Sequence, residues 1–189
     1  MPQPLNLPTE PITVEQFYEW VDQQPKGRYE LIEGQPVVVA MAPGLVRHAR
    51  VKLAAYIALR DAIRAAGLPC EVFSDGPAIQ VGESTLRVPD VIVNCGDAVD
   101  GDSRILPHPV IVLEVLSPST HRVDTVGKFR DYFRVPSVRH YLILDPVTRV
   151  VLHHRREDGG AVASGILGNG QLLLRPPGLT VAVEALFGD

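Results

Sequence analysis

Apolar positions recur along the chain at two spacings, helical and alternating, and the order in which they occur predicts an α/β fold. Thr13-Val-Glu-Gln16 has the composition of a capping box. It opens a short helix to about Gln23, with Phe17, Trp20 and Val21 as its apolar stripe. Leu45 to about Ala66 is the longest periodic run, carried by Val46, Ala49, Leu53, Tyr56, Ile57 and Ile63, and Gly67 supplies its stop. Asp124 to Phe133 reads as a compact amphipathic helix with Val126, Phe129 and Phe133 on its apolar side. Strand patterns fill the intervals. Arg28–Ile32 and Gln35–Met41, joined by Glu33-Gly34, predict a hairpin in which Glu30 faces away from Tyr29 and Leu31. Short β-like runs follow at 70–73, 78–81 and 86–88, then stronger apolar strands at 88–94, 109–116 and 139–144. Two or three more hairpin strands are expected between 149 and 183, turning at Asp158-Gly-Gly160 and Gly168-Asn-Gly170, before a helical turn over 183–187. Residues 1 to 12 hold four prolines and read as an irregular arm, and 95 to 108 as a polar loop. With no repeat or linker in view, the expectation is a single domain over residues 1–189.

Composition narrows the classes. With 189 residues, 46% hydrophobic and 21% charged, the chain has material for an ordinary core without a disulfide staple. No apolar run approaches the roughly 20 residues of a membrane span, and no leader pattern opens the chain. Cys70 and Cys95 have neither metal-ligand nor redox spacing, so they are expected as small buried apolar residues in a reducing cytoplasm. A net charge of −4 argues against generic charge-driven binding to nucleic acid, while leaving room for a local basic groove. The 18 basic residues comprise 15 Arg and only three Lys, at 26, 52 and 128.

The chemistry centres on Glu114. Pro109 to Leu113 run apolar into this carboxylate, and Val115 and Leu116 follow it. A charge there needs a partner, an opening to solvent or a metal. If 88–94 and 109–116 are antiparallel neighbours, a register with Asp90 opposite Glu114 also sets Ile92 opposite Val112 and Asn94 opposite Val110. The two carboxylates then share a face at roughly 5 Å between Cβ atoms. Such a pair repels itself unless a divalent cation lies between, and oxygen-only ligands suit Mg²⁺ or Mn²⁺. The alternative is a solvated or Arg-paired strand end.

An ordered set of motifs carries a family resemblance. Tyr29-Glu-Leu-Ile-Glu-Gly34, His48, Pro89-Asp-Val91, Glu114-Val-Leu-Ser-Pro-Ser-Thr120, Asp124, Lys128, Tyr132 and Tyr141-Leu-Ile-Leu-Asp-Pro146 resemble the Uma-type restriction endonuclease family of the PD-(D/E)xK nuclease superfamily, over about residues 14–155. The resemblance implies a restriction-endonuclease-like mixed β-sheet core flanked by helices, with additional β-hairpins. It implies a Mg²⁺- or Mn²⁺-dependent site in which Asp90 and Glu114 are ligands and the Val115 carbonyl is a candidate third. The superfamily's Lys stands two residues after the Glu, where this chain has Leu116. The resemblance moves that role to Lys128 on the following helix. There Asp124, Lys128 and Tyr132 at i, i+4 and i+8 share a face.

Each assignment has a plainer rival. Lys128 is either the site's cation or a surface partner of Asp124. Glu30 is either a supporting ligand or a polar residue on a solvent face. His48 either hydrogen-bonds a phosphate or carboxylate at the site or is a structural histidine. His153-His154 reads as an exposed strand pair, and Ser117 lacks the Gly-x-Ser-x-Gly elbow of a nucleophile. The function expected is a divalent-metal-dependent endonuclease acting on DNA. The alternatives are a nuclease-fold binding module with little or no turnover, and hydrolysis of a small phosphoester. Homodimerisation through edge strands fits the extra hairpins.

Overall fold

The structure, a computed structural model, describes residues 6–25, 27–40, 45–117 and 124–188. The chain enters α1 (Val14–Val21) through a full capping box, in which the Thr13 hydroxyl accepts from the Gln16 N–H and the Gln16 side chain accepts from the Thr13 N–H. The expected hairpin is β1 (Arg28–Ile32) and β2 (Gln35–Ala40). Its tight turn puts Glu33 and Gly34 both at positive φ, 50° and 81°. A Cβ at position 34 would lie 2.5 Å from that of Pro11, so only glycine fits.

Next come α2 (Val46–Ala66), β3 (Cys70–Ser74), β4 (Ile79–Gly82), β5 (Thr85–Arg87), β6 (Val91–Cys95) and β7 (Pro109–Val115). The second half holds α3 (Asp124–Arg134), β8 (His140–Asp145), β9 (Val150–Arg156), β10 (Val162–Leu167), β11 (Gln171–Leu174), β12 (Leu179–Ala182) and a 3₁₀ turn over Glu184–Phe187. Among the described residues the hairpin region thus has four strands rather than two or three. The turn missed by the pattern lies at residues 175 to 178, between β11 and β12.

Three sheets form among the described residues. The central one runs β10-β9-β8-β7-β6-β3, antiparallel except for the β7–β8 pair, which α3 connects as a crossover. The others are β2-β1-β5-β4 and β11-β12. One face of the central sheet packs on α2 through Val91, Val93, Ile111, Leu113, Leu142 and Leu144, with β11, β12 and the 3₁₀ turn completing that core. The other face presents Ile92, Val112, Tyr141 and Ile143 to α3 and β4. This is the mixed sheet flanked by helices, with added hairpins, that the sequence leads one to expect.

Two helices turn differently from their expected stripes. In α2 the buried line is Val51, Ala55, Leu59 and Ile63, while Val46 and Leu53 are 66% and 59% exposed. The helix has an apolar row on each side, so spacing alone leaves its phase open. In α3, Phe129 and Phe133 pack against the apolar cluster of the sheet as expected, but Val126 is 75% exposed, and the buried residues among those described are Lys128, Asp131 and Tyr132. That helix covers charged side chains of the sheet, which select a polar face. The cysteines also depart from expectation. Cys70 and Cys95 are directly paired across β3 and β6 and form a disulfide, with their Cα atoms 4.0 Å apart, so they are neither free nor simply apolar filling. His153 is buried in β9, against the expectation of exposure, and its ring lies 2.9 Å from that of His140.

Candidate functional site

The site forms where β7 ends. Alternation along β7 sends Ile111, Leu113 and Val115 toward α2 and Val112 toward α3, so Glu114 rises on the α3 side. The neighbouring strand has the register expected from the sequence. Val91 faces Leu113 and Ile92 faces Val112, up to a bulge that places Asn94 opposite Pro109 instead of Val110. One element of the expectation is corrected. The strand begins at Val91, not Val88, because Pro89 has no N–H to donate to a ladder, and Asp90 occupies the bend just before it.

Glu114 is held from α3. Lys128 Nζ donates to its Oε1 at 2.9 Å and the Tyr132 hydroxyl to the same oxygen at 2.7 Å. Both donors fall on Oε1, so Oε2 is the oxygen not engaged by described residues. Tyr132 packs edge-on against Tyr141, ring centroids 4.9 Å apart, which fixes its hydroxyl. Leu116, where the superfamily's Lys would stand, packs into the apolar cluster on the α3 side of the sheet. The cation beside Glu114 therefore comes from the helix. Burial pushes the Glu114 carboxyl up to about 7. The Lys128 charge pulls against this, the Asp90 charge reinforces it, the Tyr132 hydrogen bond opposes it and Glu30 adds a further push upward. Burial and the neighbouring Glu114 charge keep the Tyr132 phenol well above its ordinary range, so it remains a donor.

Asp90 is held from the other side of the sheet. Its Oδ2 accepts the Val115 N–H at 2.9 Å and lies 3.3 Å from His48 Nε2, one turn into α2. The same nitrogen is 3.1 Å from the Val115 carbonyl. Both neighbours are acceptors, so Nε2 carries the proton. Burial would raise the Asp90 carboxyl, but the hydrogen bonds from His48 and Val115, then the charges of His48 and Arg28, outweigh it and hold the group below its ordinary value. The hydrogen bond to Asp90 raises His48 in return, against desolvation. Arg28 Nη1 completes the surround, 3.7 Å from Asp90 Oδ1 and 3.5 Å from Asp75. Lys52 also pairs with Asp75, at 2.7 Å.

Of the residues singled out in the sequence, Asp90, Glu114, Lys128, Tyr132 and His48 converge on this end of the sheet. Glu30 does not reach solvent and is not a free ligand. It is buried, with Oε2 on Arg87 Nη1 at 2.8 Å and Oε1 on the Val88 N–H at 2.9 Å. The Asp124 side chain lies outside the described residues. Sequence reasoning missed Arg87 and Asp131. Arg87 bridges Glu30 to Asp131 Oδ2 on α3, at 2.7 Å from Nη2, with all three side chains 2% exposed. This network ties β1 and β5 to the helix carrying Lys128 and Tyr132. Its one signal was an Arg between Leu86 and Val88 in a short apolar run.

As a cation site the donor set is all oxygen: Glu114 Oε2, Asp90 Oδ1 and the Val115 carbonyl at the same strand end. Among the described residues no three His, Cys, Asp or Glu side chains converge as a ligand cluster. Two carboxylates, a carbonyl and retained waters fit Mg²⁺ or Mn²⁺, which keep much of their hydration, better than a fully protein-caged metal.

Known proteins extend this picture. An uncharacterized protein of Synechocystis sp. is 27% identical over 193 residues, covering 96% of this chain and 94% of its own. A crystal structure from Anabaena variabilis, named a putative nuclease, superposes with a TM-score of 0.71 over 94% of this chain and 98% of that one, at 16% identity, so the two share a fold. No helix among the described residues is long and apolar enough to cross a membrane. Residues 14–186 match the sequence profile of the Uma2 family, described as "Putative restriction endonuclease", and the chain belongs to that family.

Proposed function

We propose that this protein is a divalent-metal-dependent nuclease that hydrolyses DNA phosphodiester bonds at the end of β7, with Asp90 and Glu114 as metal ligands and Lys128 as the catalytic cation. The observation carrying this reading is the 2.9 Å contact of Lys128 with Glu114 at the strand end where Asp90, just before β6, accepts from the Val115 N–H. Held by Asp90 and Glu114, a divalent cation would supply Lewis-acid stabilisation of the scissile phosphate. The chain's own groups do the positioning. Tyr132 and Lys128 fix one Glu114 oxygen and leave the other for the cation, while Val115 N–H and His48 do the same for Asp90. Lys128 stands where an ammonium can orient the attacking water and offset charge building on phosphorus. Arg28 adds a second cation beside Asp90.

The test is cleavage of duplex and single-stranded DNA with Mn²⁺ or Mg²⁺, alongside Glu114→Ala. Cleavage that disappears with Glu114→Ala supports the reading, and cleavage that survives it ends the assignment. The rival reading, a nuclease-fold binding module, is favoured by the two-carboxylate count among the described residues. Calorimetric titration of Mn²⁺ separates them, because the module predicts no heat that Asp90→Ala removes.

A further inference from the structure

A cavity of about 580 Å³ opens beside the site, between α1, β1, β5 and the loops around residues 76 and 103. Its floor is apolar, formed by Phe17, Val21, Ala78 and Leu86, and that size and lining suit a small organic group. Its charged rim is balanced. Arg104 pairs with Asp22 at 3.0 Å and Arg28 with Asp75 at 3.5 Å, two cations against two carboxylates. A phosphate gains nothing from such a rim. A flat neutral ring with hydrogen-bonding edges gains both an apolar floor and polar partners. Tyr18 at the wall, with the Arg104 guanidinium 5.1 Å above its ring centre, supplies the planar surfaces on which bases stack.

The cavity adjoins the site through Arg28. Arg28 is a wall of both, 3.5 Å from Asp75 on the cavity side and 3.7 Å from Asp90 on the site side. A phosphate bound near Asp90 would have Arg28, a wall of the cavity, as its neighbour. We infer that this cavity receives an unstacked nucleobase of the strand being cut. A base inside an intact duplex cannot enter such a cavity, so the substrate is single-stranded DNA or DNA with an unpaired or flipped nucleotide. This inference rests on the nuclease reading and names the substrate class of that same site.

The experiment uses a short phosphorothioate single strand carrying one 2-aminopurine, the same strand with an abasic residue there, its duplex form, and free 2-aminopurine riboside, each titrated with Mg²⁺ present. The expected results are a change in 2-aminopurine fluorescence on binding and at least fivefold weaker binding of the abasic strand and the duplex, the low end of base–aromatic stacking. Val21→Trp, which fills the cavity, and Tyr18→Ala, which removes a stacking surface, each reduce affinity for the intact strand to that of the abasic one. Equal binding of intact and abasic strands overturns the base cavity while leaving the nuclease reading intact. Binding of the free riboside without any strand binding shows a nucleoside site and removes the substrate inference. If the wild-type protein neither binds nor cuts any strand, the nuclease reading itself fails. The abasic comparison needs no protein variant, so misfolding of Val21→Trp does not blunt it.

Discussion

Replacing Arg87 by Met should damage this protein more than any surface substitution. Arg87 donates from Nε and Nη2 to Asp131 and from Nη1 to Glu30, at 3.0, 2.7 and 2.8 Å, with all three side chains 2% exposed. Methionine keeps much of the volume but leaves two carboxylates buried beside an apolar chain. Breaking a buried pair by removing one partner costs about 3–5 kcal/mol, and a loss in that range is expected, since Glu30 keeps the Val88 N–H and Asp131 keeps Arg130 at 3.4 Å. Set against a total stability of about 5–15 kcal/mol, this loss is large. For a chain of this size it corresponds to a drop of about 6–20 °C in Tm. Urea unfolding followed by circular dichroism measures it, with an unchanged slope showing that the denatured state is not the cause. The triple variant Glu30→Leu, Arg87→Met, Asp131→Leu removes both described carboxylates along with their cation and should recover at least half of the loss. A single-variant loss below about 1 kcal/mol, the range of an exposed ion pair, would refute the reasoning.

Three further outcomes follow from the same geometry. Lys128→Met should slow single-turnover cleavage with Mn²⁺ by at least about 100-fold, the scale of losing one transition-state donor, with Lys128→Arg retaining part of the rate; equal rates for Lys128→Met and wild type contradict its assigned role. The His140–His153 pair should make folding acid-sensitive. The Pro176 carbonyl at 2.8 Å requires the proton on His140 Nε2, so His140 Nδ1 accepts from His153 Nε2. Burial pushes both rings down to about 4, assisted by the charge of His153 on His140 and of Arg155 on His153. Their folded values lie below the unfolded value of about 6.5. The stabilisation is therefore complete above that pH and lost as pH falls toward about 4, by up to about 3 kcal/mol per ring. Urea midpoints at neutral and acid pH should show this slope, and it should flatten in His140→Gln, His153→Gln. An unchanged slope in that variant contradicts the account. Reduction of Cys70–Cys95, which closes a loop with a sequence separation of 25, should lower unfolding free energy by about 3 kcal/mol, read from urea curves with and without reductant; no shift would show that the link does not constrain the unfolded chain.

Much of the site's address was legible because strand chemistry is local. Once the two strands are taken as antiparallel neighbours, the apolar run into Glu114 and the Pro-Asp step before β6 set a register, and the observed pairing of Ile92 with Val112 agrees with it. What escaped the sequence depends on which surfaces meet. The inner row of α2, with its Ala55, is no more apolar than the outer row holding Val46 and Leu53, so only tertiary packing sets the phase. In α3 the inward face mixes Phe129, Tyr132 and Phe133 with Lys128 and Asp131, because it covers Glu114 and Arg87 as well as apolar sheet, and an apolar stripe alone does not show the charged part. Glu30 reads as either a supporting ligand or a solvent-facing strand residue because its partner, Arg87, is 57 positions away. The cysteines acquire meaning only once β3 is known to pair with β6 in the register that sets Cys70 opposite Cys95.

In the proposed function, Asp90 and Glu114 together hold a divalent cation beside Lys128. Crystals soaked in Mn²⁺ and measured at the manganese absorption edge test it most directly. One anomalous peak is expected at coordination distance, roughly 2.0–2.3 Å, from a carboxylate oxygen of each residue, with Lys128 still on the other Glu114 oxygen. A peak elsewhere, or none at a concentration that supports cleavage, would contradict it.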